Sequence, residues 1–171
     1  MSPSGGYVAV VMGVSGSGKT TLAQALAQAW GAVFLDADDF HSDDARRWMG
    51  SGKPLTDAMR KPWVERIVAE LQRRVSAGEK VTLAFSGLRG EHRDMLRAAK
   101  LPLRFLFLHG EQALIATRMQ ARSGHYMPVS LLDSQFESLQ DPRGEADVDL
   151  IQVQDSPQVQ LSQALALLPV S

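Results

Sequence analysis

The sequence predicts a single α/β domain in which a five-stranded parallel sheet lies between two layers of helices. Three observations support this fold class. Continuous apolar runs recur along the chain, segments with helical periodicity lie between them, and a length of 171 residues suits one domain. Strands that alternate with helices indicate βαβ units, in which right-handed crossovers connect parallel strands.

The first predicted strand, 7–12, is apolar at every position rather than at alternate ones, and similar runs rich in apolar residues recur along the chain. Runs of this kind are typical of strands that are buried on both faces of a parallel sheet. The predicted strands are 7–12, 32–35, 81–85, 103–108 and 148–153.

Between these strands, apolar residues recur at the three- and four-residue spacing of helices with one buried face. The first stripe contains Leu22 and Leu26 and ends before Gly31, a residue that favours helix termination. The other stripes lie at 64–75, 114–119 and 161–168.

Two stretches, 36–55 and 122–144, have weak patterning and are long for connections in a domain of this size. Segments of this length are usually lids or binding regions, or they carry short helices of their own. These two stretches are therefore candidates for a lid, a binding region or short helices.

Composition and charge limit the function. The formal net charge is −1, with 18 basic and 19 acidic residues, so the basic excess of a nucleic-acid-binding protein is missing. The chain has no cysteine, which excludes a disulfide framework and a cysteine zinc site. The first apolar run has six residues, too few for a signal sequence or a membrane span. We expect a cytoplasmic protein with no nucleic-acid or membrane partner.

The segment 13–20, Gly-Val-Ser-Gly-Ser-Gly-Lys-Thr, matches the phosphate-binding pattern G-x-x-x-x-G-K-[ST] at every position. A predicted strand precedes it and a predicted helix follows it, which is the context that confirms this pattern. The glycines permit backbone torsions that let successive N–H groups point at phosphate oxygens, next to the positive end of the helix. The predicted nucleotide-binding residues are Gly13, Val14, Ser15, Gly16, Ser17, Gly18, Lys19, Thr20 and Thr21.

Two residues of this segment have specific expected roles. Lys19 would contact the β- and γ-phosphates of ATP, and Thr20 would hold Mg²⁺.

A GTPase-like switch module is the alternative from another functional class. Guanine selection in that class usually uses an N-K-x-D segment, and this chain contains no asparagine. A kinase is therefore favoured.

Acidic residues follow the second predicted strand, where the carboxyl end of a sheet faces the ligand crevice. Asp36 and Asp38 are two residues apart there. Phosphoryl transfer needs a metal ligand and a carboxylate that accepts the proton of the acceptor hydroxyl. We assign Asp36 to the metal and Asp38 to the base, although the two roles could be exchanged. The alternative is a solvated acidic turn that caps the next helix.

Three arginines are candidates for binding an acidic acceptor, because the planar guanidinium fits a carboxylate. Arg60 lies close to a predicted helix start, where the helix dipole disfavours a cation, and this favours a ligand role. Arg89 and Arg93 follow the third strand four residues apart, so one helix face could hold both. The alternative is ion pairing on the surface. His41 is a further candidate contact, with a structural role equally open.

A mobile lid is predicted at about 123–136. Arg118 and Arg122 lie four residues apart before a loop that contains Gly124 and His125. A closing loop would exclude water and bring the two arginines to the transferred phosphate, with His125 near the substrate. The alternative is an ordinary helix end, where basic residues are favoured by the dipole.

These motifs together resemble the gluconokinase family of small P-loop enzymes, and the resemblance covers nearly the whole chain. Besides 13–20, it rests on Phe-Leu-Asp-Ala-Asp at 34–38, Ser-Gly-Lys-Pro-Leu at 51–55 and Gly-His-Tyr-Met-Pro at 124–128. It implies the fold of nucleoside-monophosphate and shikimate kinases and the reaction ATP + D-gluconate → ADP + 6-phosphogluconate. It also implies Mg²⁺ as the metal and a homodimer as a common assembly.

The chain departs from the family pattern at two places. Ala37 stands between the two aspartates where the family usually has glycine, and Arg89 stands where a lysine is frequent. Arginine preserves the charge but presents it with a different geometry. A related aldonate, or shikimate, is therefore the alternative acceptor.

Overall fold

The computed structural model describes residues 5–14, 16–53, 55–121 and 129–169. It contains a five-stranded sheet in the spatial order β2-β3-β1-β4-β5, and every strand pair is parallel. The strands are β1 Tyr7–Met12, β2 Val33–Asp36, β3 Lys80–Ala84, β4 Leu103–His109 and β5 Val148–Gln152. The predicted sheet is confirmed, and the strand ends differ from the predicted ones by at most one residue.

Helices connect the strands and also divide the two weakly patterned stretches. They are α1 Lys19–Trp30, α2 Asp43–Gly50, α3 Asp57–Ser76, α4 Gly90–Ala98, α5 Gln112–Ala121, α6 Val129–Ser138 and α7 Pro157–Leu167. A short 3-10 helix, Ala37–Phe40, follows β2 directly. Side chains of Ser42, Thr56 and Ser156 cap α2, α3 and α7 by accepting a hydrogen bond from the third residue of each helix.

The core has two halves, one on each face of the central strand β1. Ala9 and Val11 pack with residues of α1, α5 and α7, whereas Val8 and Val10 pack with residues of α3 and α4. All four side chains are fully buried. Because β1 is covered on both faces, its sequence is apolar at every position, and the predicted three-layer architecture is confirmed.

The parallel arrangement brings several loops to one edge of the sheet. Val11 of β1 and Asp36 of β2 are both in register with Ala84 of β3. The segments that follow these three strands therefore begin side by side at the carboxyl edge, where ligands of open α/β sheets bind. In the described part of the chain, no helix is long and apolar enough to cross a membrane.

Candidate active site

The phosphate-binding loop has backbone torsions that require glycine at two positions. Gly16 and Gly18 have φ angles of 81° and 94°, in the left-handed region that other residues rarely adopt. Gly18 is the N-cap of α1 and offers no side-chain cap, so the first N–H groups of α1 stay available to a ligand. Ser17 Oγ is buried without a hydrogen-bond partner among the described residues. These features fit a cradle for phosphate oxygens.

Lys19 is half-buried at the start of α1, close to the carboxylates that follow β2. Burial lowers the pKa of Lys19, and the nearby Asp38 and Asp36 oppose that change because their negative charges stabilise the ammonium group. Lys19, the expected phosphate-binding cation, therefore lies close enough to Asp36 and Asp38, the expected catalytic carboxylates, to interact with their charges. Thr20 and Thr21 are exposed on the same turn.

The two aspartates differ in their environment. Burial raises the pKa of Asp36, whose Oδ1 accepts a hydrogen bond from the Asp38 N–H at 3.0 Å. The pKa of Asp38 is lowered, chiefly by its interaction with His41 and also by Lys19. Asp38 is thus the carboxylate that ionises more readily, whereas at Asp36 the effect of burial outweighs the opposing charge of Lys19, and a metal ion would add positive charge there.

The donor set suits Mg²⁺ bound partly through a nucleotide. Among the described residues, no cluster of three or more His, Cys, Asp or Glu could hold a metal by itself. Mg²⁺ usually uses one or two protein ligands and completes its octahedron with water and substrate phosphates. Asp36 and Thr20 beside the phosphate cradle match that pattern.

A histidine–tryptophan pair supports the turn that carries Asp38. The rings of His41 and Trp63 stack with centroids 4.4 Å apart and an interplanar angle of 16°. Trp63 Nε1 donates a hydrogen bond to the Ala37 carbonyl at 2.7 Å, and His41 Nε2 lies 3.7 Å from Asp38 Oδ1. The His41 side chain is only 6% exposed. It therefore lies beside Asp38 within the turn, and a direct contact with the acceptor stays a prediction.

The structure corrects the expectation for Arg93. This side chain is 2% exposed and does not share a helix face with Arg89, because Arg89 precedes α4 as its N-cap in an extended conformation. The Arg93 guanidinium donates to the carbonyls of Gly87 and Gln140, at 2.7 and 3.0 Å, and binds both carboxylate oxygens of Glu145. Arg93 is therefore a structural residue that joins the loop after β3 to the segment after α6.

Arg93→Met should destabilise the fold by about 2–4 kcal/mol, because two carbonyls lose their donor and Glu145 loses one of its cations. Urea unfolding measures this change. Arg143→Met is the matched control, since it removes an exposed ion pair with Asp141 and should cost no more than about 1 kcal/mol. If Arg93→Met were as stable as the control yet lost binding of the acceptor, Arg93 would be a ligand group.

The other predicted arginines have varied positions. Arg60 is half-buried in the first turn of α3. Arg89 is half-buried, and its Nε is buried without a hydrogen-bond partner among the described residues. Arg118 is exposed on α5 and donates to the Val153 carbonyl.

Part of the predicted lid and one loop residue lie outside the described residues. These are Ser15, Arg122, Gly124 and His125. The predicted lid range 123–136 overlaps α6, whose described residues include Leu132, buried in the core. The lid, with Arg118 and Arg122 at the phosphates and His125 at the substrate, stays a prediction.

A cavity of about 280 Å³ adjoins the phosphate-binding loop. Val14 lines it on the loop side, His109 and Gly110 line it at the end of β4, and Phe136 of α6 covers another wall. The space at the carboxyl edge therefore extends from the loop toward α6.

Comparisons with known proteins decide which kinase family this site represents. A family model described as an AAA domain matches residues 8–143. A gluconokinase from Arabidopsis thaliana is 42% identical over 79% of this chain and 78% of its own length. A gluconokinase from Gluconobacter oxydans is 38% identical over 91% of this chain and 88% of its own. The chain belongs to the gluconokinase family.

Solved structures agree with this membership. The crystal structure of a gluconokinase from Sinorhizobium meliloti has 41% identity and a TM-score of 0.84, covering 94% of this chain and 90% of that one. A sugar kinase from a Janibacter species has 37% identity and a TM-score of 0.85 over 94% and 93% of the two chains. The shikimate kinase of Aquifex aeolicus, at 16% identity and a TM-score of 0.65, shares the fold alone.

Membership of the gluconokinase family confirms the predicted resemblance, the P-loop kinase fold and the choice of an ATP-dependent kinase over a switch module.

Sequence reasoning missed two supporting residues, Trp63 and Gln140. Trp63 had a local signal, since a tryptophan in the first turns of a helix must bury its ring and satisfy its N–H. Gln140 had none, because its partners lie about fifty positions earlier in the chain.

Proposed function

We propose that this protein transfers the γ-phosphoryl group of ATP to the C6 hydroxyl of D-gluconate. The observation that carries the proposal is the meeting of the phosphate cradle, Lys19 and the Asp36–Asp38 pair at one edge of the sheet. The names of the relatives support gluconate as the acceptor. Identification of the product by ³¹P NMR tests the proposal, which requires phosphate on C6 of gluconate.

The loop amides and Lys19 hold the phosphates and offset the charge that moves toward the β–γ bridging oxygen. Thr20 and Asp36 would hold Mg²⁺ together with the phosphates, and the ion would supply further charge neutralisation. Asp38 accepts the hydrogen bond of the acceptor hydroxyl and orients it for attack. Because the transition state is loose, the proton can leave late, so a carboxylate with a lowered pKa suffices.

Arg60 and Arg89 bind the carboxylate at the other end of the acceptor in this proposal. Both lie in segments next to the carboxyl edge, Arg60 at the start of α3 and Arg89 at the start of α4. The unpartnered Nε of Arg89 supports this role, because a buried donor is costly until a ligand accepts its hydrogen bond. Arg118 and Arg122 would serve the phosphates. A cytoplasmic location and a homodimer stay predictions.

Arg60→Lys should raise the KM for gluconate strongly and leave the KM for ATP near normal. Lysine keeps the charge but loses the planar fork that matches a carboxylate. Steady-state kinetics with saturating ATP and varied gluconate measures the KM for gluconate. Steady-state kinetics with saturating gluconate and varied ATP measures the KM for ATP.

The matched control for this variant is Arg73→Lys, the same change at the far end of α3, where Arg73 pairs with Glu70 on the surface. The control should leave both KM values unchanged. A gluconate KM for Arg60→Lys that equals the control's would remove Arg60 from the site, since exposed ion pairs contribute only about 0–1 kcal/mol.

A further inference from the structure

Gln140 contacts both peptide groups that flank Arg89. The Gln140 N–H donates to the carbonyl of Leu88 at 2.7 Å, and Gln140 Oε1 accepts from the N–H of Gly90 at 2.6 Å. Arg89 itself provides no side-chain cap for α4. Gln140 therefore caps α4 from another part of the chain and holds the backbone on each side of Arg89.

Arg93 adds hydrogen bonds to the same segment from the interior of the protein. We call the contacts of Gln140 and Arg93 with this segment the clamp. Its guanidinium donates to the carbonyl of Gly87, two residues before Arg89, and to the carbonyl of Gln140 itself. The contacts of Gln140 and Arg93 thus hold the backbone at Gly87, Leu88 and Gly90. The segment cannot shift without breaking several of these hydrogen bonds, so the position of the Arg89 backbone is fixed.

One buried donor of this segment, the Nε of Arg89, has no hydrogen-bond partner among the described residues. By contrast, Gln140 and Arg93 bind the Gly87 and Leu88 carbonyls and the Gly90 N–H beside it. A guanidinium held with an unpartnered N–H can donate to a carboxylate without first losing another bond. The clamp therefore preorganises Arg89 for an anionic ligand.

We propose that Gln140 is a positioning residue that sets Arg89 for the carboxylate of the acceptor. The proposal rests on the proposed function, in which Arg89 touches gluconate. Gln140 does not contact the substrate, and its effect on the reaction passes through Arg89. It links acceptor recognition to the segment that follows α6.

Gln140→Ala removes the acceptor for the Gly90 N–H and keeps the backbone bond to Leu88. We expect the KM for gluconate to rise roughly five- to tenfold, as for the loss of one hydrogen bond, with the KM for ATP unchanged. Gln140→Glu keeps an oxygen at the same place and should restore the wild-type gluconate KM. If the alanine variant does not fold, Gln140→Met replaces it, because methionine keeps the chain length without the oxygen.

Ser156→Ala is the matched control for a simple loss of stability. It removes the side-chain cap of α7, far from the acceptor segment, and should lower the melting temperature to a similar degree. Its gluconate KM should stay at the wild-type value. If Ser156→Ala and Gln140→Ala changed gluconate kinetics equally, the effect would be one of stability and the positioning role would be refuted.

A double-mutant cycle separates this proposal from the proposed function. Arg89→Ala alone should raise the gluconate KM, and adding Gln140→Ala should then have little further effect because the residue that it positions is gone. An unchanged KM in Arg89→Ala would refute the role of Arg89 at the acceptor. A raised KM in Arg89→Ala, together with an unchanged KM in Gln140→Ala or with fully additive effects, would refute the positioning role of Gln140 alone.

Discussion

Lys19→Met should lower kcat by about a thousandfold, the scale expected for a cation that stabilises the transferred phosphoryl group. Lys19 lies half-buried between the phosphate cradle and two aspartates, where its charge is screened less than on the surface. Methionine has a similar length and no charge, so the loop can keep its shape while the phosphates lose their cation. The measurement is kcat from a coupled ADP-release assay with ATP and gluconate saturating.

Lys80→Met is the matched control, because Lys80 lies at the amino end of β3, on the opposite edge of the sheet, where it packs over Trp30. This control should keep wild-type turnover. Circular dichroism should show that both variants are folded. A folded Lys19→Met enzyme with normal kcat would contradict the assignment of 13–20 as the ATP phosphate site.

Asp38→Asn should lower kcat by about 10²–10⁴ while the affinity for ATP changes little. Asparagine keeps the shape of the side chain but cannot take the proton of the acceptor hydroxyl. The phosphate cradle is untouched by this substitution. Single-turnover kinetics measures the rate of the chemical step. A titration with a fluorescent ATP analogue measures the affinity for the nucleotide, so the two effects can be separated.

Asp39→Asn, on the same 3-10 helix, is the matched control and should retain activity. A loss of ATP affinity in Asp38→Asn would instead place the metal on Asp38 and exchange its role with Asp36. Normal kcat in Asp38→Asn would exclude Asp38 as the base.

The sheet and the phosphate-binding loop could be predicted because their signals are local. A strand covered on both faces favours apolar residues at successive positions, as in Tyr7–Met12, and the loop needs glycine where φ is positive. The position of Asp36 followed from topology, since the carboxyl ends of parallel strands share one edge. For the sheet, only the strand limits needed adjustment, by at most one residue.

The roles of the arginines could not be predicted, because tertiary partners decide them. Arg93 has the same local spacing as a ligand-binding arginine, yet Glu145 and the carbonyl of Gln140, both from a distant segment, occupy its guanidinium. The support of Asp38 by His41 and Trp63 likewise comes from two separate elements. Spacing within one helix carries no information about contacts of this kind.

The most direct test of the central claim is ADP release with MgATP and a panel of acceptors: gluconate, other aldonates, glucose, shikimate and nucleoside monophosphates. The account predicts the highest kcat/KM with gluconate. It also predicts roughly 10⁴-fold lower values with glucose, because a neutral sugar offers no carboxylate to the arginines of the acceptor site. Turnover of a nucleoside monophosphate or shikimate, with none of gluconate, would contradict the account.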